Sequence, residues 1–158
     1  MVKSATSMAR TRPGALRVIV TGTSSDAHTW NLVFLQLLLE HLGHEVLNLG
    51  PCTPDALVVD SCVTHRPDLL VVSSVNGHGH IDACSLIAAL RAEPATTDLR
   101  AVVGGKLGIS LDGREGAVRA LIEAGFDAVF DEGTTGISFE SFMASLSQAA
   151  TVPTGAGA

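Results

Sequence analysis

The sequence predicts an α/β fold in which helices cover both faces of a five-stranded parallel sheet. Two observations support this prediction. Short, continuously apolar runs alternate with longer stretches that carry helix boundary signals, and small or turn-forming residues separate the two. Continuously apolar strands are buried on both faces, which is typical of parallel sheets packed between helices. The length of 158 residues predicts a single domain.

The strands are predicted from short runs of β-branched and aliphatic residues, of which the Leu-Leu-Val-Val segment is the most apolar. Runs of this kind are too short for helices and are typical of buried strands. The predicted strands span residues 16–21, 45–49, 68–73, 99–103 and 128–130.

The helices are predicted from longer stretches that have boundary signals at their ends. Gly43 and Gly125 follow the first and fourth helices as C-terminal caps. Thr53 is expected at the N-cap of the second helix, Pro54 in its first turn and Pro67 beyond its end. The predicted helices span residues 29–42, 54–65, 81–92, 114–124 and 137–149.

This alternation predicts a doubly wound, flavodoxin-like (Rossmann-like) sheet with strand order 2-1-3-4-5. Residues 16–149 form the expected domain. Residues 1–15 and 150–158 lack a hydrophobic period and are expected to be flexible tails. In open sheets of this kind, ligands bind beyond the carboxyl ends of the strands, where the winding reverses.

The charge and cysteine content argue against several classes of protein. Ten Lys and Arg residues against sixteen Asp and Glu residues give a net charge of −6, so neither nucleic acid nor an anionic membrane is expected as a main partner. No apolar run reaches about 18 residues, and residues 1–13 lack the apolar core of a secretory signal, so a cytoplasmic protein is expected. Cys52, Cys62 and Cys84 form no CxxC pair, which predicts reduced thiols.

Three small, polar, glycine-rich loops follow the first, third and fourth strands. They span residues 22–28, 73–80 and 104–108. Because the carboxyl ends of parallel strands lie at one edge of a sheet, these loops are expected to meet there. Small side chains let a backbone approach a bulky ligand closely. The sequence therefore predicts a ligand site at this edge.

Several ligand classes can be compared with this edge. The first loop lacks the GxGxxG of dinucleotide sites, and Ser73 and Ser74 stand where a phosphate-accepting receiver domain carries Asp. Residues 21–25 offer hydroxyls and amides to a flavin phosphate, although Trp30 is the only Trp and Tyr is absent. Residues 78–82, His-Gly-His-Ile-Asp, resemble the HxHxD core of binuclear metal hydrolases, but no His follows them. The flavin and metal interpretations stay open at this point.

The same three loops resemble the DxHxxG, SxL and GG signature of base-off, His-on cobalamin-binding domains. The matching residues are Asp26 and His28, the segment 73–75, and the pair Gly104 and Gly105. Over residues 17–146 the chain is similar to the small subunit of glutamate mutase, also called methylaspartate mutase.

Two residues depart from this signature. Asn31 stands in place of its last Gly, and Val75 in place of its Leu. In this family the Gly helps to leave room for the nucleotide tail of the cofactor. Asn31 is therefore expected to fit through altered packing or hydrogen bonding, whereas Val75 is a mild change in an apolar wall.

The resemblance implies that His28 is the lower axial ligand of the cobalt, in place of the cofactor's own dimethylbenzimidazole. Neutral imidazole is a common ligand of transition metals, and Asp26 would accept the hydrogen of the other ring nitrogen. The displaced nucleotide tail would occupy a slot between the first and third strands and their loops. The implied cofactor-binding residues are Ser25, Asp26, Ala27, His28, Thr29, Asn31, Ser73, Ser74, Val75, Gly77, Gly104, Gly105, Lys106, Leu107, Gly108, Ile109 and Ser110. No catalytic residue is implied in this chain.

The resemblance also implies a function. The chain would be the small subunit of an adenosylcobalamin-dependent carbon-skeleton mutase, an isomerase that converts L-glutamate to threo-3-methylaspartate. A separate large barrel-type subunit would bind the substrate and cover the upper face of the cobalamin. The alternatives are a cobalamin-binding methyl carrier, a mutase subunit for another acid, and a non-enzymatic cobalamin sensor.

Overall fold

The computed structural model of the chain describes residues 12–108, 111–131 and 138–151. The strands are β1 (Arg17–Gly22), β2 (Glu45–Asn48), β3 (Leu69–Ser74), β4 (Arg100–Gly105) and β5 (Ala128–Asp131). The helices are α1 (Trp30–His41), α2 (Asp55–His65), α3 (Gly79–Ala92), α4 (Arg114–Ala124) and α5 (Phe139–Thr151), and a 3₁₀ turn at Leu111–Gly113 precedes α4. The predicted alternation of strands and helices is confirmed.

All strand pairs are parallel, and the strand order is β2-β1-β3-β4-β5, as predicted. Gly22 pairs with Ser73, and Ser73 pairs with Gly104. The strands β1, β3 and β4 therefore end at the same level. The chain leaves β1 toward one side of the sheet and β3 toward the other, so the winding reverses between them.

The core consists of two layers, one on each face of the sheet. Leu70 and Val72 of β3 pack in the layer covered by α2, α3 and α4, whereas Leu69 and Val71 pack in the layer covered by α1 and α5. Side chains along a strand alternate between its faces. The same alternation directs Ser73 toward α1 and Ser74 toward the opposite face.

The predicted start of α2 is wrong by one residue. Thr53 donates its hydroxyl to the Gly50 carbonyl at 2.9 Å, so it does not cap the helix amides. Pro54 is the N-cap instead, with an extended ψ of 144°, and the helix begins at Asp55. The Pro54 carbonyl accepts the first bonds of the helix, from Leu57 and Val58.

Other boundaries differ by similar amounts. The helix α3 begins at Gly79, two residues before the predicted start, and β4 includes Gly104 and Gly105, which were expected beyond its end. The last helix runs from Phe139 to Thr151, past the predicted end at residue 149; its predicted first residue, 137, lies outside the described residues. Within the described ranges, none of the helices combines the length and apolar character needed to span a bilayer.

Candidate functional site

Asp26 lies at the carboxyl edge of the sheet with its side chain only 1% exposed. Its carboxylate accepts hydrogen bonds from the backbone N–H groups of His28 (2.9 Å) and Val75 (2.7 Å), from the Ser74 hydroxyl (2.8 Å) and from Nδ1 of His28 (2.7 Å). One carboxylate thereby connects the loop after β1 to the end of β3.

These hydrogen bonds keep Asp26 ionised. Burial raises the pKa of its carboxyl group, but the hydrogen bonds donated by His28, Val75 and Ser74 together outweigh burial and lower the pKa from 3.8 to about 2. Hydrogen bonds to the charged form of a carboxylate characteristically have this effect. Asp26 is therefore a fixed anionic acceptor at neutral pH.

His28 is oriented by this anion. Because an ionised carboxylate only accepts hydrogen bonds, Nδ1 carries the hydrogen, and in the neutral ring the lone pair resides on Nε2. The His28 side chain is 50% exposed. The result is an accessible imidazole whose tautomer and ring plane are set by a buried carboxylate, an arrangement typical of metal-ligating histidines.

A second set of contacts holds together the loop after β1 and the loop after β3. Asn76 donates from Nδ2 to the Ser25 hydroxyl at 3.0 Å and accepts the His78 backbone N–H at 2.9 Å. The Ser25 hydroxyl in turn donates to Asp82 in the first turn of α3. The edge is therefore organised by its own side chains rather than formed from independent loops.

Beside this edge, a cavity of about 260 Å³ lies on the face of the sheet covered by α1 and α5. Its walls are mainly apolar. Trp30 and Phe34 are 64% and 60% exposed, so α1 presents aromatic surface to the cavity and to solvent. The lining residues are Trp30, Asn31, Phe34, Leu35, Leu38, Val71, Val72, Ser73, Val75, Val102, Val103, Gly104, Gly105, Lys106, Phe130, Phe139 and Glu140.

Asn31 lines the part of this wall nearest the sheet edge. Its Nδ2 donates to the Ser73 hydroxyl at 2.9 Å, which joins α1 to β3. Its Oδ1 is buried and has no hydrogen-bond partner. Asn31 therefore fits at this position through a hydrogen bond to Ser73, and its Oδ1 stays unpaired.

Two glycines of this edge, Gly105 and Gly108, are required by the packing of the chain itself. A Cβ at Gly105, where φ is +112°, would lie 2.2 Å from the Ser74 carbonyl oxygen. A Cβ at Gly108 would lie 1.8 Å from the Gly77 carbonyl oxygen. Space for a ligand is therefore not needed to explain them, although Gly104 and Gly105 do line the cavity.

The structure gathers most, but not all, of the predicted site residues. Asn31, Ser73, Val75, Gly104, Gly105 and Lys106 line the cavity. Ser25, Asp26, His28 and Ser74 form the hydrogen-bonded edge, and Ala27 and Thr29 flank His28 as exposed residues. Gly77 and Gly108 meet in the close backbone contact, and Leu107 is fully buried in the core. Ile109 and Ser110 lie outside the described residues.

Sequence reasoning missed the helical walls of the cavity. Trp30, Phe34 and Leu38 recur every four residues and therefore share one face of α1. That spacing was visible in the sequence, but it is also the spacing of an ordinary core-facing stripe. Phe130 and Phe139 come from the last strand and helix, and no local pattern connects them to the loops.

The metal interpretation of residues 78–82 receives no support from the geometry. Nδ1 of His80 donates to the Leu107 carbonyl at 2.9 Å, and Asp82 accepts the Ser25 hydroxyl. Among the described residues, no group of three or more His, Cys, Asp or Glu side chains is placed to hold a metal ion.

Comparison with protein families decides between the remaining ligand classes. The model of the B12 binding domain matches residues 16–138, which is most of the chain. The chain belongs to the B12 binding domain family. This membership confirms cobalamin as the predicted class of cofactor and replaces the flavin interpretation.

The relatives of this B12-binding chain include glutamate mutase sigma subunits. The one from Halobacterium salinarum is 35% identical over 117 residues, which are 73% of this chain and 77% of the relative. Sigma subunit 1 of Haloarcula marismortui is 33% identical over 119 residues, 75% of this chain and 78% of the relative. The sigma subunit of Fusobacterium nucleatum is 28% identical over 118 residues, 75% and 86% of the two chains. The predicted resemblance to the small subunit of glutamate mutase is confirmed.

Solved structures show the same fold at low sequence identity. A cobalamin-binding protein from Desulfitobacterium hafniense superimposes with a TM-score of 0.61 at 22% identity, covering 73% of this chain and 52% of that chain. A signal receiver domain of a histidine kinase from Syntrophus aciditrophicus gives a TM-score of 0.60 at 16% identity, covering 91% and 96%. The doubly wound fold is therefore shared by cobalamin-binding and signal receiver proteins, and the site residues must carry the functional argument.

The residues present at this edge fit a cobalamin. His28 supplies an accessible imidazole nitrogen beside the sheet edge, and Asp26 fixes its tautomer. The adjoining cavity is apolar along most of its wall, which suits an aromatic base, and Asn31, which lines the cavity, carries a buried Oδ1 without a hydrogen-bond partner.

Proposed function

We propose that this chain is the adenosylcobalamin-binding small subunit of a heteromeric glutamate mutase, an isomerase that converts L-glutamate to threo-3-methylaspartate. The observation that carries the proposal is the His28–Asp26 pair, at 2.7 Å, beside the apolar cavity on the α1 face of the sheet. The similarity to glutamate mutase sigma subunits supports the choice of reaction.

In this proposal His28 is the protein's ligand to the cobalt of the cofactor. Asp26 keeps Nδ1 protonated, so Nε2 remains available as the ligand. The negative charge of Asp26 also raises the basicity of the imidazole, which strengthens its bond to a metal. Because Asp26 is itself held by Ser74 and the Val75 backbone, the orientation of the imidazole is fixed to the end of β3.

In this proposal the nucleotide tail that His28 displaces from the cobalt occupies the cavity between α1 and α5, over β3 and β4, and not a slot between β1 and β3. The aromatic side chains of Trp30 and Phe34 stand exposed on one wall, and the displaced base would cover them. Covering apolar surface contributes about 25 cal/mol per Å² to binding. We expect Lys106, an exposed residue that lines the cavity, to meet the phosphate of the tail.

The cofactor, when bound, supplies the radical chemistry of the rearrangement. This chain would bind and orient the cofactor through His28, whose side chain the loops leave half exposed at the sheet edge. We propose that a large barrel-type subunit covers this edge, binds glutamate and excludes water from the reacting face. The isolated chain is accordingly expected to bind cofactor without turning over substrate.

The decisive experiment is electron paramagnetic resonance of Co(II) cobalamin bound to the chain with ¹⁴N or ¹⁵N histidine. A His28 ligand predicts superhyperfine splitting that changes with the nitrogen isotope of the protein. His28→Ala is expected to abolish this dependence and to weaken binding. His78→Ala, which removes an exposed histidine from the next loop, serves as the matched control and should keep it. Unchanged lower ligation in His28→Ala would refute the proposed role of His28.

A further inference from the structure

The residue at which the chain departs from the family signature, Asn31, also holds a buried polar atom without a partner. Asn31 is 5% exposed, its Nδ2 donates to Ser73, and its Oδ1 has no hydrogen-bond partner. Native proteins rarely leave a buried carbonyl oxygen unpaired without a reason. In the structure the Asn31 amide lies with Nδ2 on the Ser73 hydroxyl, which leaves Oδ1 over.

The position of Asn31 limits what it can contact in the cavity. Asn31 is the second residue of α1, and Ser73 is next to the last residue of β3, so both lie near the sheet edge. Farther from the edge, the same wall continues with Leu35, Leu38 and Val71, all apolar. A nucleotide entering from the edge therefore places its base against the apolar part and its sugar beside Asn31.

We infer that Asn31 is a specificity-determining residue that recognises the ribose of the nucleotide tail, its Oδ1 accepting a hydrogen bond from a sugar hydroxyl. This inference rests on the proposed function. A ribose hydroxyl is a donor, which an amide oxygen requires, whereas dimethylbenzimidazole has no N–H or O–H to donate. The departure from Gly thus exchanges room for a hydrogen bond at the mouth of the cavity.

The test compares two corrinoids, cobalamin and cobinamide, the second of which lacks the nucleotide tail. Their dissociation constants are measured by absorbance titration of the unmodified chain and of Asn31→Leu, in which a side chain of similar size carries no polar atom. Cobalamin affinity is expected to fall about three- to tenfold, the size of one hydrogen bond, while cobinamide affinity stays the same.

Gln36→Leu is the matched control. It removes an amide from the same helix, where Gln36 bonds Glu40 and Asn48 away from the cavity. This variant is expected to bind both corrinoids as the unmodified chain does.

Asn31→Gly provides a second variant in case leucine does not fit. Weaker cobalamin binding by this variant, with cobinamide binding retained, supports the inference. Tighter cobalamin binding overturns it, because Asn31 would then obstruct the tail, and so does equal cobalamin binding by Asn31→Leu and the unmodified chain. In both cases the proposed function stands, whereas an unmodified chain that bound neither corrinoid would overturn the proposed function itself.

Discussion

The charge of Asp26 determines how two neighbouring side chains behave. Its ionised carboxylate aligns the His28 ring and also satisfies buried donors at the end of β3. A carboxylate surrounded by donors is stabilised in its charged form even where water is excluded. The residue that orients the imidazole is therefore also part of the structural connection between two loops.

His44 is a buried titratable residue outside the site. It is 7% exposed, and its Nδ1 accepts the Leu16 backbone N–H at 3.2 Å. Burial lowers its pKa below the ordinary value of 6.5. The folded chain therefore binds a proton at His44 less readily than the unfolded chain does, and His44 stabilises the fold only while it is neutral.

This difference predicts a loss of stability in mild acid. The free energy of unfolding should begin to fall as the pH drops below about 6.5, the unfolded value, and His44 should cause no further loss below its lowered folded pKa. His44→Asn keeps an acceptor for the Leu16 N–H but cannot be protonated. The free energy of unfolding of this variant should therefore fall less than that of the unmodified chain between about pH 7.5 and pH 5. Urea denaturation at both pH values measures the difference, with the exposed His41→Asn as control. An identical pH dependence in His44→Asn would contradict the prediction.

At the scale of secondary structure elements, α1 serves two purposes. Leu32 and Leu39 are fully buried against the sheet, whereas Trp30 and Phe34 remain exposed along the cavity. Asn31 lies between these two surfaces. The helix thereby couples the packing of the core to the shape of the cavity.

The end of β4 depends on a glycine at residue 105. Alanine there would place its Cβ 2.2 Å from the Ser74 carbonyl oxygen of β3. The backbone φ of +112° is also one that residues with a side chain rarely adopt. Gly105→Ala is therefore expected to lower the free energy of unfolding by about 2–4 kcal/mol. Gly116→Ala is the matched control, because Gly116 is exposed within α4 and a Cβ there meets no atom within 4 Å. That control should gain about 0.5–1 kcal/mol, and denaturation curves in which both variants lost stability equally would contradict the explanation.

The whole molecule is a single sheet between two core layers, which share the strands β1, β3 and β4. Neither layer is complete without the sheet, so both layers are expected to unfold together in one transition. The site lies at the edge of the same sheet, and binding there should stabilise the entire domain.

This coupling predicts the size of the effect of the cofactor on stability. A ligand that binds only the folded chain, at a hundred times its dissociation constant, adds about 2.7 kcal/mol to the free energy of unfolding. Cobalamin at that excess is expected to shift the denaturation midpoint accordingly, and His28→Ala should show a smaller shift at the same concentration. A midpoint that did not respond to cobalamin would count against binding to the folded chain.

Much of the fold could be predicted because its signals are local. The apolar runs around Leu70 and Val102 identify buried strands without knowledge of their neighbours, and the alternation with helices limits the topology to a few choices. Helix starts were less predictable. A Cβ at Gly79 would lie 2.6 Å from Cβ of Ser74, so the start of α3 lies close against the end of β3, and no helix-start signal in the sequence indicates this contact.

The sequence alone determined the sheet, the three loops at its carboxyl edge and the pairing of Asp26 with His28, because two residues in one short loop cannot lie far apart. Tertiary structure decided the rest. It brought α1 and α5 together as the walls of the cavity and buried Leu107 in the core. It also left Oδ1 of Asn31 without a partner. Those outcomes depend on packing between distant segments, where the spaces left between side chains are decided by the whole fold and by no single stretch of sequence.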